Sequence, residues 1–325
     1  DFAFMEEKKA KLFVNSPNAL EGNEISRCDT SAAAFQSEET GMVDMVADEA
    51  SILAQIRQLV SILPANNADY ALTDCADDLN RACAQIAGCV GDTAIALSQI
   101  ADDGLFVEVK QDYAKDMVAG FMRLNGATVG AVANRTEVYD AEGEVTDKFD
   151  AVLSARGAEK AAEFVTFCDA FDIPVLSLTN VTGFAATKCA EKRMAKAAGK
   201  LTYAFANATV PKVNVIIGKA YGSAYVAMNS KALGADITMA WPNAEIGMMD
   251  AKLAAKIICD GQGADAIDTC AKEYAALQNN VTSAARRGYV DQIVEPADTR
   301  KYVIGAFEML AAKNEGRPEK KHGTV

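Results

Sequence analysis

The sequence predicts an α/β fold in which parallel strands are joined by right-handed helical crossovers. Three observations carry this. Strand-like and helix-like stretches alternate from residue 157 to 241 at the spacing of β-α-β units. Two strand-to-helix turns, Asn180-Val181-Thr182-Gly183-Phe184 and Tyr221-Gly222-Ser223-Ala224-Tyr225, follow apolar strands, at the place where open α/β sheets bind ligands. Finally, 325 residues with 50% hydrophobic content suffice for a substantial core, in one to three domains.

In chain order, residues 1–46 mix short apolar stretches with polar turns and show no sustained periodicity. Asp48 to Ile62 predicts a helix. Ile52, Ile56, Leu59 and Val60 fall on one face, Asp48 and Glu49 suit the first turn, and Pro64 lies past the end. Pro64-Ala65-Asn66-Asn67 and the polar stretch to Asp78 read as a linker, the best boundary between two parts of the chain. Helices follow at 79–86 and 93–100, then a turn at Asp102-Asp103-Gly104 and a short strand at 106–109. Phe121 to Asn134 reads as a hairpin, because Asn125-Gly126 supplies the two positive-φ positions of a tight turn. Glu137 to Phe149 is polar and predicts an exposed loop. The alternating region gives helix 157–171, strand 174–179, helix 187–207, strand 212–217, helix 224–232 and strand 236–241. Helices near 252–259, 264–277, 281–288 and 298–313 complete the chain.

Composition removes several function classes. A net charge of −13 argues against nucleic-acid binding, while leaving room for an anionic cofactor held by local basic groups. Mean hydropathy is near zero and no long apolar run exists, so no membrane-spanning helix is expected. The opening DFAFMEEKKAKLFV lacks the basic-then-apolar order of a signal peptide. It also lacks an initiator methionine and opens as if inside an element, so a fragment or processed piece is expected. Eight cysteines (28, 75, 83, 89, 168, 189, 259 and 270) make no C-x-x-C pair and are expected as buried free thiols in a reducing cytosol.

The single histidine, His322, lies in a charged tail. A catalytic triad needs an imidazole beside its nucleophile, and the G-x-S-x-G elbow is absent, so Ser223 is not expected to be a hydrolase nucleophile. Histidine-based metal sites fall for the same reason, and no metal is expected. What the turn at 221–225 does offer is main chain. The first N–H groups of a helix have no intrahelical partner and carry the positive end of its dipole. Gly222 and Ala224 keep the turn thin, so a ligand oxygen can come close.

At these residues a family resemblance becomes specific. FVTFCDAFDIPVLSLTNVTGF, followed by KLTYAFANATVPKVNVIIGKAYGSAYVAMNSKALGADITMAWPNAEIGMM, resembles the beta/alpha-type carboxyltransferase component of biotin-dependent acyl-CoA carboxylases and sodium-pumping acyl-CoA decarboxylases. DYAKDMVAGFMRLNGATVGAVANR is similar to the opening of that component's C-terminal half, and RPEKKHGTV to its ending. The resemblance implies two crotonase/ClpP-like spiral domains, the N-terminal one for acyl-CoA and the C-terminal one for biotin. The active site would lie between opposite domains of two subunits. Residues 1–70 would then be the C-terminal remnant of the acyl-CoA domain plus linker, and 71–325 the biotin domain. The glycine pair that forms the acyl-CoA oxyanion hole would lie before Asp1, on another polypeptide or on a missing part of this one.

By this match the biotin-side amide pair falls on Ser223 and Ala224, and Gly183, Phe184, Tyr221, Gly222 and Tyr225 are implied to line the biotin pocket. Three positions depart from the family pattern. Ser223 replaces a usual glycine. Val226 stands where propionyl- and acetyl-specific carboxylases often have an acidic residue, a position that influences acyl selectivity. Asn180-Val181-Thr182-Gly183-Phe184 stands where Asp-Val-Pro-Gly-Phe is common.

The reaction implied is carboxyl transfer between N1′ of biotin and the α-carbon of an acyl-CoA. The cofactor brings its own base, which suits a chain without an available histidine. Implied partners are a biotin carboxyl carrier protein, the missing N-terminal carboxyltransferase portion and further copies of the chain. A biotin carboxylase would join in the carboxylation direction, or a membrane pump subunit in decarboxylation; the sequence leaves the direction open. The location implied is cytoplasmic, peripheral at the inner membrane in the pump case. A crotonase-type hydratase or isomerase is a rival reading, with Glu245 and Asp250 as its carboxylates if they are more than solvated loop charges. A non-catalytic assembly subunit is another. Lys188, Lys192, Arg193, Lys196 and Lys200 read as a solvated helix face, or as a contact for CoA phosphates or a carrier.

Overall fold

The computed structural model describes residues 1–69 and 72–316; His322 and the RPEKKHGTV tail lie outside the described residues. The N-terminal part holds a separate parallel pair, β1 (Phe4–Glu6) and β2 (Met45–Ala47), with Phe4 opposite Met45. Short helices α1 (Asn23–Ser26) and α2 (Ala33–Glu38) lie between them. Helix α3 (Glu49–Ile62) starts at Asp48, whose carboxylate accepts the N–H groups of Ala50 and Ser51. Its buried stripe is Leu59 and Ile62, with Ile52 and Gln55 half-buried. The expected face is therefore rotated: Ile56 and Val60 remain 38% and 73% exposed. The helix lies against β1 and β2, and Leu59 and Ile62, from the stripe at i, i+3, i+7 and i+10 (one of two its sequence carries), enter the main apolar cluster together with Phe4.

The main sheet is built next. It is preceded by α4 (Thr93–Ile100) and takes up β3 (Phe106–Glu108), β4 (Met117–Leu124) and β5 (Ala127–Asn134). These three are antiparallel neighbours, and the β4–β5 turn has Asn125 at φ 50 and Gly126 at φ 79, as the Asn-Gly pair requires. A two-stranded hairpin of β6 (Glu137–Tyr139) and β7 (Val145–Lys148) replaces the loop expected at 137–149. Helix α5 (Ala155–Ala170) leads to β8 (Val175–Val181), α6 (Lys188–Asn207) to β9 (Lys212–Tyr221), and α7 (Gly222–Ala227) towards β10 (Ile237–Ala240). The helix expected at 224–232 thus ends early, at Ala227, two residues before the left-handed Asn229 (φ 55). β11 (Glu245–Gly247), α8 (Ala251–Ile258), α9 (Ala264–Tyr274), α10 (Val281–Arg286), β12 (Gln292–Ile293) and α11 (Thr299–Leu310) follow.

Strand order across the sheet is β12-β10-β9-β8-β5-β4-β3, with β11 also on β9; every pairing from β5 to β12 is parallel. The sheet is covered on both faces. On β4, Met117, Ala119 and Phe121 enter the apolar cluster shared with α5 and α6, while Val118, Met122 and Leu124 enter the one shared with α4 and α11. Burial on both faces explains why these strands read as continuous apolar runs.

Residues 79–86 are not helical apart from the start of a short 3-10 turn at Ile86–Cys89. The Arg81 guanidinium spans the Asp77 carboxylate (2.9 Å) and the carbonyls of Gln99 (3.0 Å) and Ala101 (2.9 Å), and the Cys83 N–H donates to Ala297 (2.8 Å). Tertiary bonds thus replace helical ones along this stretch. All eight cysteines are free, but only Cys83 and Cys168 are buried; Cys28 and Cys189 are exposed and the other four half-buried. The apolar pattern around them belongs to their neighbours more than to the thiols.

Candidate functional site

β8 and β9 are neighbours in register, with Val181 opposite Ala220. Both leave the sheet at the same edge, one into the turn at 182–187 and the other directly into α7. A shift in register between Thr179 and Val181 is held by side-chain amides. Asn180 Oδ1 accepts the Lys219 N–H at 3.0 Å, and Asn134 Oδ1 accepts the Asn180 N–H at 3.2 Å. Below α7, Thr179 Oγ1 donates to Asn214 Oδ1 (2.8 Å) and Asn214 Nδ2 to the Met228 carbonyl (3.3 Å). Asn229 Nδ2 donates to Ser177 Oγ at 2.9 Å. All of these side chains are buried, so the bonds fix where α7 ends and therefore where it begins.

At that beginning, Gly222 has φ +60, and a Cβ there would stand 3.1 Å from the Met248 carbonyl. Glycine fits this position for both reasons. The N–H groups of Ser223 and Ala224 belong to the first turn of α7, and Tyr221 at the N-cap contributes no side-chain cap. Ser223 itself is exposed and Ala224 buried. Tyr221 is buried, and its hydroxyl donates to the Glu245 carboxylate from β11, which pairs with β9 so that Gly247 faces Tyr221. Burial, and then that carboxylate, hold the Tyr221 phenol well above its usual pKa. Glu245 is thus a structural partner in a strand, not the loop charge expected, and Asp250 caps α8 through the N–H groups of Lys252 and Leu253.

A cavity of about 630 Å³ opens on this turn. Gly222, Ser223, Tyr225 and Val226 form one wall, and Ile246 to Met248 another. The third comes from the C-terminal helices through Tyr274, Gln278, Arg287 and Tyr289, which the sequence did not single out because no strand-to-turn pattern marks them. Tyr225 is only 7% exposed; its hydroxyl is buried without a hydrogen-bond partner, and burial pushes its pKa well up. Val226 faces the cavity with 38% of its surface exposed.

Gly183 and Phe184 do not line this cavity. They are tied to residues 151–153: the Thr182 N–H donates to Ala151 (2.7 Å), the Leu153 N–H to Gly183 (2.8 Å) and the Ala185 N–H to Leu153 (3.0 Å). Phe184 packs on the core. Lys188, Lys192, Lys196 and Lys200 are exposed along α6, and Arg193 pairs with Glu159 at 2.7 Å. A larger space of about 780 Å³ sits far from this chemistry, around Lys11, Arg27 and Asp29. It is open and polar and its Lys11 is already paired with Asp29 (2.6 Å), so the smaller cavity is the better site. Among the described residues no group of three side chains is arranged to hold a metal, and no helix is long and apolar enough to cross a membrane.

Comparison with known proteins points to one family. The model of the carboxyl transferase domain family matches residues 1–325. The chain is 35% identical, over its whole length, to methylmalonyl-CoA decarboxylase subunit alpha of Propionigenium modestum, of which it covers 65%. It is 36% identical to the propionyl-CoA carboxylase beta chain of Saccharopolyspora erythraea, of which it covers 63%. A crystal structure of transcarboxylase 12S, a hexamer with methylmalonyl-CoA and methylmalonic acid bound, superposes with a TM-score of 0.87 at 35% identity over 99% of this chain and 64% of that one. The chain therefore spans less than two thirds of the length of these relatives. By its sequence and its crotonase-like fold, the chain belongs to the carboxyl transferase domain family.

Proposed function

We propose that this chain forms the biotin-facing half of a carboxyltransferase that moves a carboxyl group between biotin on a carrier protein and the α-carbon of an acyl-CoA. The observation that carries the reading is the first turn of α7: the main-chain N–H groups of Ser223 and Ala224 have no side-chain cap, and Gly222 and Ser223 of that turn line the cavity. The fit of a small neutral bicyclic cofactor is supported by the cavity's volume, by the close approach Gly222 allows and by its mostly uncharged lining. When bound, biotin supplies the carboxyl carrier and a base. The chain's part is to orient it and to stabilise charge. The Ser223 and Ala224 N–H groups would donate to the oxygen on which negative charge grows, and a single donor of this kind is worth about 2.7–4 kcal/mol. Because they are held by β9, by the Asn214–Met228 bond and by the Tyr221–Glu245 clamp, they need no reorganisation as charge develops.

Gly183 and Phe184 belong to this proposal as the neighbouring edge of the site, in the turn that follows the strand beside β9, rather than as walls of the cavity. The acyl-CoA half, a biotin carrier and further copies of the chain are its proposed partners, with either a biotin carboxylase or a membrane subunit beside them. A cytoplasmic setting, peripheral at a membrane in the second case, goes with that list. The hydratase reading fares less well, since Glu245 is engaged by Tyr221 and the cavity lining contains no carboxylate. In the protein that carries this chain, exchange of the carboxyl group of a carboxylated acyl-CoA should require biotin. Hydration of an enoyl-CoA without biotin, and no biotin-dependent exchange, would overturn the proposal.

A further inference from the structure

The thiols of this chain differ in what they face. Cys75, Cys83 and Cys89 turn their sulfurs to main-chain carbonyls, those of Asp77, Gln99 and Gln85. Cys259 and Cys270 instead face each other, with the two thiols in hydrogen-bonding contact. Residues 260–269 separate them in sequence, so it is the fold that makes them neighbours. Cys259 is the C-cap of α8, and Cys270 lies in α9, which packs back on α8. The buried residues of the two helices are Ala254, Ala255 and Ala271, short side chains that let helices approach closely. Neither sulfur is sealed in, since both cysteines are only half-buried.

This helical hairpin carries part of the cavity wall. At its base the Asn279 side chain donates to the Met249 carbonyl at 3.1 Å, joining the chain that leaves α9 to the chain that enters α8. α9 runs directly into a π-helical turn at Ala275–Asn279. Tyr274 and Gln278, which line the cavity, therefore follow Cys270 by about one and two turns of one rod. At the far end the connection bends at Gly261 (φ +77), and a Cβ on Gly261 or Gly263 would meet nothing within 4 Å. The thiol contact ties the two helices at that end.

We infer that Cys259 and Cys270 are a redox-active pair, whose oxidation to a disulfide staples α8 to α9 and stiffens the wall that Tyr274 and Gln278 form. The inference goes beyond the carboxyl-transfer reading and does not depend on it, since it needs only the hairpin. A disulfide demands closely matched geometry, and two thiols already in contact meet most of that demand. The co-reactant is a low-molecular-weight disulfide such as oxidised glutathione. The Cys259 thiolate attacks one of its sulfurs, forming a mixed disulfide and expelling a glutathione thiolate, which takes up the proton that Cys259 lost. Cys270 then attacks the Cys259 sulfur and expels the second glutathione, which takes up the Cys270 proton. Two protein thiols are oxidised, and one glutathione disulfide is reduced to two thiols. The order follows from the contact: hydrogen bonding to Cys259 pushes the Cys270 thiol up to about 11, so Cys270 keeps its proton while Cys259 reacts.

The test exposes the reduced protein that carries this chain to oxidised glutathione and needs no turnover. Peptide mapping by mass spectrometry should find Cys259 joined to Cys270, and dithiothreitol should release them. The exposed Cys28 and Cys189 serve as the comparison and should carry glutathione rather than a bridge. Cys270→Ser removes the resolving thiol and should trap the glutathione adduct on Cys259. Amide hydrogen exchange across residues 264–278 should slow about threefold or more on oxidation and recover with dithiothreitol. The Cys270→Ser protein should show no such slowing. Glutathione adducts on both Cys259 and Cys270 without a bridge, or no reaction at either, overturns the inference. A bridge that forms while exchange across 264–278 stays unchanged overturns the stiffening of the wall.

Discussion

At the scale of single residues, the chemistry rests on backbone angles and on a few buried polar groups. Gly222→Ala puts a Cβ at φ +60 and against the Met248 carbonyl, a strain of about 1–2 kcal/mol. Urea denaturation should show that loss, together with a fall in carboxyl transfer as the N–H groups of Ser223 and Ala224 are turned. Unchanged stability and transfer would mean that the left-handed glycine is dispensable. Lys160 carries a second residue-scale prediction. It is fully buried in α5, donating to the carbonyls of Lys110 (2.7 Å) and Tyr113 (2.9 Å), and burial brings its pKa from 10.5 down to about 8. Between about pH 8 and 10.5 the unfolded chain holds a proton there that the folded chain has given up. This group therefore makes stability rise with pH across that window, and below pH 8 its penalty is fully present. Lys160→Met should lower stability overall and flatten the dependence between pH 8 and 10.5; an unchanged slope would show that the ammonium is not desolvated as described.

At the scale of elements, the site is positioned by bonds that join distant segments. Arg300 of α11 is fully buried. It pairs with Asp102 at 2.7 Å and donates to the Ile100 carbonyl (2.6 Å), and Asp102 also accepts the N–H groups of Asn125 and Gly126 at the β4–β5 turn. One ion pair thus locks α11, the end of α4 and the hairpin together. Arg300→Met leaves Asp102 buried without its cation, and denaturant unfolding should report a loss of about 3–5 kcal/mol. A loss below 1 kcal/mol would mean that the hairpin is held by its apolar face alone. Local pattern revealed most of the elements themselves. Asp48 capping α3, the Asn125-Gly126 turn and the apolar runs of β8 and β9 each combine a strong propensity with a clear boundary. It failed where tertiary partners decide the backbone. Arg81 and Cys83 take their bonds from residues 77, 99, 101 and 297, and α3 carries two apolar stripes of which burial chose the one through Leu59 and Ile62.

At the scale of the whole molecule, the site divides along the same line. The wall made by residues 221–226 was readable, because a strand, a small-residue turn and a helix occur in one continuous stretch. The opposite wall, Tyr274 to Tyr289, was not. Those residues are ordinary helix and loop positions until the sheet order brings the end of β9 beneath them. A charge balance as acidic as this one likewise gives no hint that the cavity holds a lone arginine, since net charge averages over the surface and a site does not. The account as a whole depends on main-chain donors at α7, and one substitution removes a donor with little change to side-chain chemistry. In the protein that carries this chain, biotin-dependent carboxyl exchange should be compared between Ala224→Pro, which deletes an N–H, and Ala224→Gly, which keeps it. The account predicts a fall of about a hundredfold or more in the proline variant, with folding preserved and near-normal exchange in the glycine variant. Full exchange in a folded Ala224→Pro protein would contradict it.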